Sequence, residues 1–261
     1  MITIIIPAYN CLSTLERTLA SLVCQTDSKF KVLIVDDCST EDIFPIINEY
    51  ANKLDLEYIR HDNNVGCGMT RQTGIDNVKT SHFTFLDSDD IFMPFAIEIF
   101  NAFISKNPNA EYIHSYIYEQ KETPEGIPVY LLHKNGFNYC HGKVYCTEAI
   151  KKFGIRNHPS VKWADDSFFN SMCSELLKLN VIQQPTIIWT NNKTSITRKK
   201  DEYREKMKIK DFISAMLISC EYVSKYKEHI DHVPVTIDLI KRGVLPNTEE
   251  AELLNQLSSY L

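Results

Sequence analysis

Three short apolar runs, each closed by a polar or acidic turn, constrain the fold most. Ile2 to Ile6 is a continuous β-branched run ending at Pro7, Phe30 to Val35 ends in Asp36-Asp37, and His82 to Leu86 ends in Asp87-Ser88-Asp89-Asp90. Short, largely apolar runs of this kind, above all the unbroken Ile2 to Ile6, fit strands covered on both faces, as in a parallel sheet. Helical patterns lie between them. Ser13-Thr14-Leu15-Glu16 has the spacing of a capping box, and Leu15, Leu19, Leu22 and Val23 follow at helical intervals. Ser39-Thr40-Glu41-Asp42 leads into Ile43, Ile46, Ile47 and Tyr50, Leu56 to Arg60 forms a further strand, and Asn63-Asn64-Val65-Gly66-Cys67-Gly68 precedes a helix around Thr70 to Val78. This alternation predicts an α/β fold with a mainly parallel sheet, in which ligands bind outside the carboxyl ends of the strands. Pro7 to Asn10, Asp36-Asp37 and Asp87 to Asp90 all lie at such ends, so one crevice can collect them.

The acidic triplet carries the first chemical signal. Three carboxylates within four residues repel one another, and either a hard divalent ion or solvent must offset that repulsion. Alone, the stretch reads equally as a metal site or a polar turn. Its place beside two other strand ends favours the metal.

Past it, Pro94 opens a helix with Ala96, Ile99, Phe100, Phe103 and Ile104 on one face. Tyr112 to Glu119 and Val129 to Leu132 alternate like antiparallel strands around a turn at Pro124-Glu125-Gly126, and Thr147 starts a helix that stops at Gly154. Trp163-Ala164-Asp165-Asp166 opens another helix, whose acids suit either simple capping or chemistry. Val181 to Trp189 is a final strand. The rest reads as helices over Tyr203 to Lys227, after Pro234, and from Asn247 or Thr248 onward. The expected organisation is an α/β domain over residues 1-200, including a small antiparallel part, with a helical C-terminal extension, 201-261, packed on it.

The formal charge of -6 argues against a protein that coats nucleic acid. The eight cysteines include no Cys-x-x-Cys pair, which fits reduced thiols, and the cluster of Cys140, His141 and Cys146 is one ligand short of a tetrahedral zinc site. No apolar run approaches the roughly twenty residues that span a bilayer, and the N-terminus has no leader pattern. The expected location is cytoplasmic or peripheral at the inner membrane face.

In order, Ile4-Ile5-Ile6-Pro7-Ala8-Tyr9-Asn10, Val35-Asp36-Asp37-Cys38-Ser39-Thr40, Asn64-Val65-Gly66 with Arg71 and Gly74, Asp87-Ser88-Asp89-Asp90, and Asp165-Asp166 resemble family 2 glycosyltransferases of the GT-A fold. The resemblance covers roughly residues 1 to 200, and its specificity lies in the agreement of separate spaced motifs. It implies that Pro7, Ala8, Tyr9 and Ser88 border the nucleotide sugar, that Asp37 meets the uracil edge, and that Arg71 lies near the base or phosphates. It implies further that Asp87 approaches the ribose or metal, that Asp89 ligands Mn²⁺ or Mg²⁺, and that Asp166, beside Asp165, is the catalytic base. Asp90 is then a supporting or acceptor-side residue. His141-Gly142-Lys143-Val144-Tyr145 resembles a segment that shapes the acceptor side in capsule-type members, and Asn191, Asn192 and Arg198 sit where a loop closes on the diphosphate. Two residues depart from the pattern: Cys38 stands where glycine is frequent, and Asp165 replaces the commoner Glu.

The implied reaction is inverting transfer of a hexosyl or N-acetylhexosaminyl group from a nucleotide sugar, UDP-linked if Asp37 faces uracil, to an acceptor hydroxyl. Acceptors open to it are a saccharide, a lipid-linked saccharide, a protein, a teichoic-type polymer or a modified base in DNA, the last disfavoured by the negative charge. The C-terminal helices could also pair two copies. The alternative is a catalytically silent nucleotide-sugar-binding module that recruits a partner. A dinucleotide-dependent dehydrogenase is set aside because the first strand leads to Pro7-Ala8-Tyr9-Asn10 and not to a glycine-rich turn.

Overall fold

The first strand is buried along its whole length, and the pleat sends Ile2, Ile4 and Ile6 into one core and Ile5 into another. That two-sided burial is the reason for its unbroken apolar run. The computed structural model describes residues 1–134, 139–190, 202–227, 230–231 and 248–260. In chain order the first elements are β1 (Ile2–Ala8), α1 (Leu15–Val23), β2 (Phe30–Asp36), α2 (Phe44–Ala51), β3 (Leu56–Arg60), α3 (Cys67–Asn77), β4 (His82–Phe85), β5 (Ile91–Phe92) and α4 (Ala96–Lys106). There follow β6 (Tyr112–Glu122), β7 (Pro128–His133), β8 (Lys143–Cys146), α5 (Thr147–Phe153), α6 (Asp165–Leu176), β9 (Leu179–Trp189), α7 (Glu202–Val223) and α8 (Thr248–Ser258).

Among the described residues one sheet runs in the order β3-β2-β1-β4-β8-β6-β9-β5, with β7 paired to β6. The first four strands are parallel, as the strand and helix alternation predicts. Beyond β4 the pairs β4–β8, β8–β6, β6–β7 and β9–β5 are antiparallel, and β6–β9 is parallel. β5 follows β4 directly in the chain yet lies at the far end of the order, so the Asp87 to Asp90 turn joins strands that β8, β6 and β9 separate. The acids therefore sit where the parallel half meets the curled antiparallel half.

Leu15 and Leu19 of α1, Ile47 of α2 and Phe100 of α4 cover one face, while Ile75 of α3 and Phe168, Phe169 and Met172 of α6 cover the other. Ala215, Met216, Cys220 and Val223 of α7 join that second core. The helix expected after Pro234 lies outside the described residues. None of the described helices is long and apolar enough to cross a membrane. The capping box read at Ser13 to Glu16 does not form: Thr14 is the N-cap and makes no side-chain cap, and its hydroxyl donates to the Cys11 carbonyl at 3.3 Å. Gly154, at φ 61°, ends α5 as the sequence predicts.

Gly74 sets how closely α3 lies on β1. A Cβ there would stand 2.3 Å from Ile5 Cγ2, a buried atom of the central strand. Gly74→Ala is therefore expected to destabilise the fold by about 1–3 kcal/mol through overpacking. A lower denaturant midpoint at constant slope is the measurement that checks it.

Candidate active site

The carboxyl ends of β1 and β2 form the first wall of the cleft. Ala8 accepts a bond from the Asp37 amide at 2.8 Å, and Tyr9 beyond it is exposed. Asp36 points inward and accepts from Ser39 N and Oγ, Tyr58 and Arg60, which together outweigh the effect of burial and hold its carboxyl below the ordinary range. Asp37 faces the other way. Its Oδ1 accepts from Val65 N at 2.8 Å and contacts His61 Nδ1 at 3.0 Å, and its Oδ2 accepts from Gly66 N at 2.8 Å. Asp37 thus fastens the Asn64-Val65-Gly66 loop to the strand end, with one Oδ2 lone pair left over. Cys38 has φ 62°, a left-handed conformation that costs an L-residue roughly 1–2 kcal/mol. This is the physical reason that glycine suits the position.

The acidic turn forms the second wall. The Asp90 amide donates to the Asp87 carbonyl at 3.0 Å, closing the turn, and Leu86 N still bonds Ile5 O in the sheet. Antiparallel pairing of Thr84 with Val144 controls what faces it, because continuing that register by three residues sets His141 opposite Asp87. His141 Nε2 lies 2.7 Å from Asp90 Oδ2 and 3.5 Å from Asp87 Oδ2. Burial opposes a charged imidazole, but the two carboxylates prevail and the His141 pKa is pushed up to about 10. Asp90 is fully buried, and burial raises its carboxyl above the ordinary range despite His141. Thr190 N donates to Asp90 Oδ1 at 2.8 Å, while Arg17 donates to the Asp89 carbonyl at 2.8 Å.

Arg71 of α3 closes the cleft. Its guanidinium is 5% exposed and donates to Asp87 Oδ1 at 2.7 Å and, by its other terminal nitrogen, to Asp165 Oδ2. Burial works against ionised Asp87, but Arg71 and His141 hold its carboxyl well below the usual range. Asp165 and Asp166 open α6 after Ala164, which has φ 55°. This left-handed residue immediately precedes the two acids, of which Asp165 reaches Arg71 and Asp166 accepts a bond from Ser167 N at 2.9 Å. Asp166 is half-buried, and burial together with the Asp165 charge pushes its pKa up to about 6, against the pull of Arg71.

These features have counterparts in known proteins. The model of the glycosyl transferase family 2 matches residues 3–173. The chain belongs to that family. An uncharacterized glycosyltransferase of Haemophilus influenzae is 38% identical over 114 residues, which are 44% of this chain and 38% of that protein. The chain therefore spans well under two thirds of that relative. TarS 1-349 from S. aureus, in complex with UDP-GlcNAc, superposes with a TM-score of 0.75 at 19% identity, covering 99% of this chain and 80% of that one. The mannosyltransferase PcManGT from Pyrobaculum calidifontis, in complex with GDP-Man and Mn²⁺, gives 0.63 at 14% identity, covering 99% and 73%. The fold is the GT-A fold.

In this family 2 chain Pro7, Ala8, Tyr9 and Asp37 lie at neighbouring strand ends, and Arg71, Asp87 and Asp165 form one ion-paired group. Ser88 is half-buried in the acidic turn, within reach of the Cys11 thiol. Asp87, Asp90 and His141 present one ligand atom each within 4.8 Å of one another, a group that does not include Asp89. Asp90 Oδ2 and His141 Nε2 are buried and pair with each other, while His141 Nδ1 is buried without a hydrogen bond. Buried polar atoms of this kind need partners. Two carboxylate oxygens and an imidazole nitrogen are a donor set suited to a divalent cation such as Mn²⁺, so the residues fit the metal that the family pattern implies. The contact of His141 with the acids depends on the β4–β8 register and has no signal in the sequence motif that contains it. Asn191, Asn192 and Arg198 lie outside the described residues.

Proposed function

We propose that the protein is a metal-assisted, inverting glycosyltransferase that moves a sugar from a UDP-linked donor to an acceptor hydroxyl, with Asp166 as general base. The observation that carries this reading is the Arg71 bridge, which ties Asp87 of the acidic turn to Asp165 of α6 and so sets metal-side and base-side acids in one cleft. The UDP-GlcNAc held by a protein of the same fold supports the donor class, and the free Oδ2 lone pair of Asp37 can accept the uracil N3–H. Pro7, Ala8 and Tyr9 border the base, with Ser88 on the sugar side.

Asp87, Asp90 and His141 would hold the cation, with Asp89 the next acid in the same turn. When bound, it neutralises the diphosphate charge that grows as the anomeric bond breaks. His141 must give up its extra proton to serve as a ligand, so uptake of the cation releases a proton. Asp166 accepts the proton of the acceptor hydroxyl, whose oxygen forms the new bond to the anomeric carbon while UDP departs with the electron pair of the old one. A single displacement of this kind inverts the anomeric centre. With a pKa near 6, Asp166 is ionised at neutral pH yet more basic than an ordinary carboxylate.

Incubation with Mn²⁺ and a panel of UDP-sugars is expected to release UDP slowly without acceptor and faster with one, to stop on chelation, and to resume on adding Mn²⁺ back. Donor binding without UDP release under any acceptor would identify a silent nucleotide-sugar-binding module instead.

A further inference from the structure

We propose that Tyr139 and Trp189 form an aromatic platform that receives a neutral saccharide acceptor, an assignment that rests on the transferase reading above. Tyr139, just before β8, is 43% exposed, and Trp189 ends β9 half-buried. Their ring centroids lie 5.4 Å apart, and the His141 ring stacks on Trp189 at 5.4 Å with an interplanar angle of 29°. His141 in turn contacts Asp90 and Asp87. The rings therefore continue directly from the acidic cluster into solvent.

Strand order decides which substrate they serve. The ends of β1 and β2, where the nucleotide is placed, lie on one side of β4, and β9 lies on the other side, beyond β8 and β6. A ring pair there lies across β4 from the strand ends assigned to the nucleotide, on the side left to a second substrate. Exposed aromatics beside a cluster of charges combine apolar faces with polar edges, a pairing enriched where one partner is amphipathic. A pyranose matches it, with C–H groups for the ring faces and hydroxyls for the rim. Glu119, the register partner of Trp189 on β6, supplies such a rim. The charges also discriminate among acceptors. Lys121 Nζ pairs with Glu119 at 3.4 Å, and His133 Nε2 bonds the same carboxylate oxygen at 2.9 Å, so the lysine cation beside the rim is already engaged, which disfavours an anionic polyol phosphate.

The chain has two tryptophans, Trp163 and Trp189, so Trp163→Phe leaves Trp189 as the sole indole reporter. In that full-length variant, neutral trisaccharides such as cellotriose and chitotriose are expected to change the fluorescence saturably, and a glycerol phosphate trimer is not. Tyr139→Ala is expected to weaken saccharide binding and raise the acceptor KM about tenfold, with a much smaller effect on kcat, and Tyr139→Phe, which keeps the ring, to restore both. A saturable response to the polyol phosphate alone, no response to any saccharide, or an acceptor KM unmoved in Tyr139→Ala would overturn the assignment. Failure of the wild type to release UDP from any UDP-sugar would instead count against the transferase reading itself.

Discussion

Asp166→Asn is expected to lower turnover by about 10²- to 10⁴-fold while UDP-sugar affinity changes little. Asparagine keeps the shape and can still accept the bond that Ser167 N gives to Asp166 Oδ1 at 2.9 Å, so the start of α6 should survive. What disappears is a basic oxygen. The pH profile separates this from a structural effect. The raised Asp166 pKa, near 6, follows from burial and the adjacent Asp165 charge, so in the wild type kcat/KM should fall as pH drops through about 6 and the base is protonated. In Asp166→Asn that limb should vanish and leave a flat residual rate. Calorimetric titration with UDP measures donor affinity, and initial rates of UDP release with acceptor measure turnover. Near-normal transfer by this variant would remove Asp166 from the mechanism.

The parallel half of the fold is legible because its strands are covered on both faces: an unbroken run such as Ile2 to Ile6 has few alternatives, and the position of Asp37 or Asp87 follows from where each run ends. The curl is not legible. β5 is two residues long, and nothing in Ile91-Phe92 marks it as the partner of Ile187 and Ile188, nearly a hundred residues on. The acidic turn is legible as a cluster of carboxylates at a strand end, but the different surroundings of its three acids are not, since Thr190 and His141, which meet Asp90, come from distant parts of the chain. His141 itself was visible as part of a motif. Its role depends on a register across β4 and β8, and a slip of one residue would turn the imidazole to the other face of the sheet. The motif around Arg71 is legible in the sequence, but the packing of α3 against α6 that lets it bridge Asp87 and Asp165 is not. Asp87 and Asp165 are 78 residues apart in sequence and meet through that one guanidinium.

That link leads to the second large effect. Replacing Arg71 with Met removes a buried cation and leaves Asp87 and Asp165 facing each other without it, and breaking a buried pair from one side costs about 3–5 kcal/mol. For a chain of this size the melting temperature should fall by roughly 6–20 °C. The loss should depend on pH, with a definite sign. Arg71 helps hold Asp87 below the ordinary carboxylate range, so its pairing stabilises the native state above the unfolded pKa and is lost as pH falls through the depressed folded value. The gap between wild type and Arg71→Met should therefore be widest near neutrality and close in acid. Arg71→Lys keeps the charge but not the fork that reaches two carboxylates at once, so it should recover only part of the difference. Arg71 also opposes the rise in the Asp166 pKa, and without its charge the acid limb of the rate profile should move above 6. A variant that melts like the wild type at every pH would show that solvent, and not Arg71, balances the two acids. A variant that loses stability but keeps its pH profile would confine Arg71 to holding α3 and α6 in place, with no hand in tuning the base.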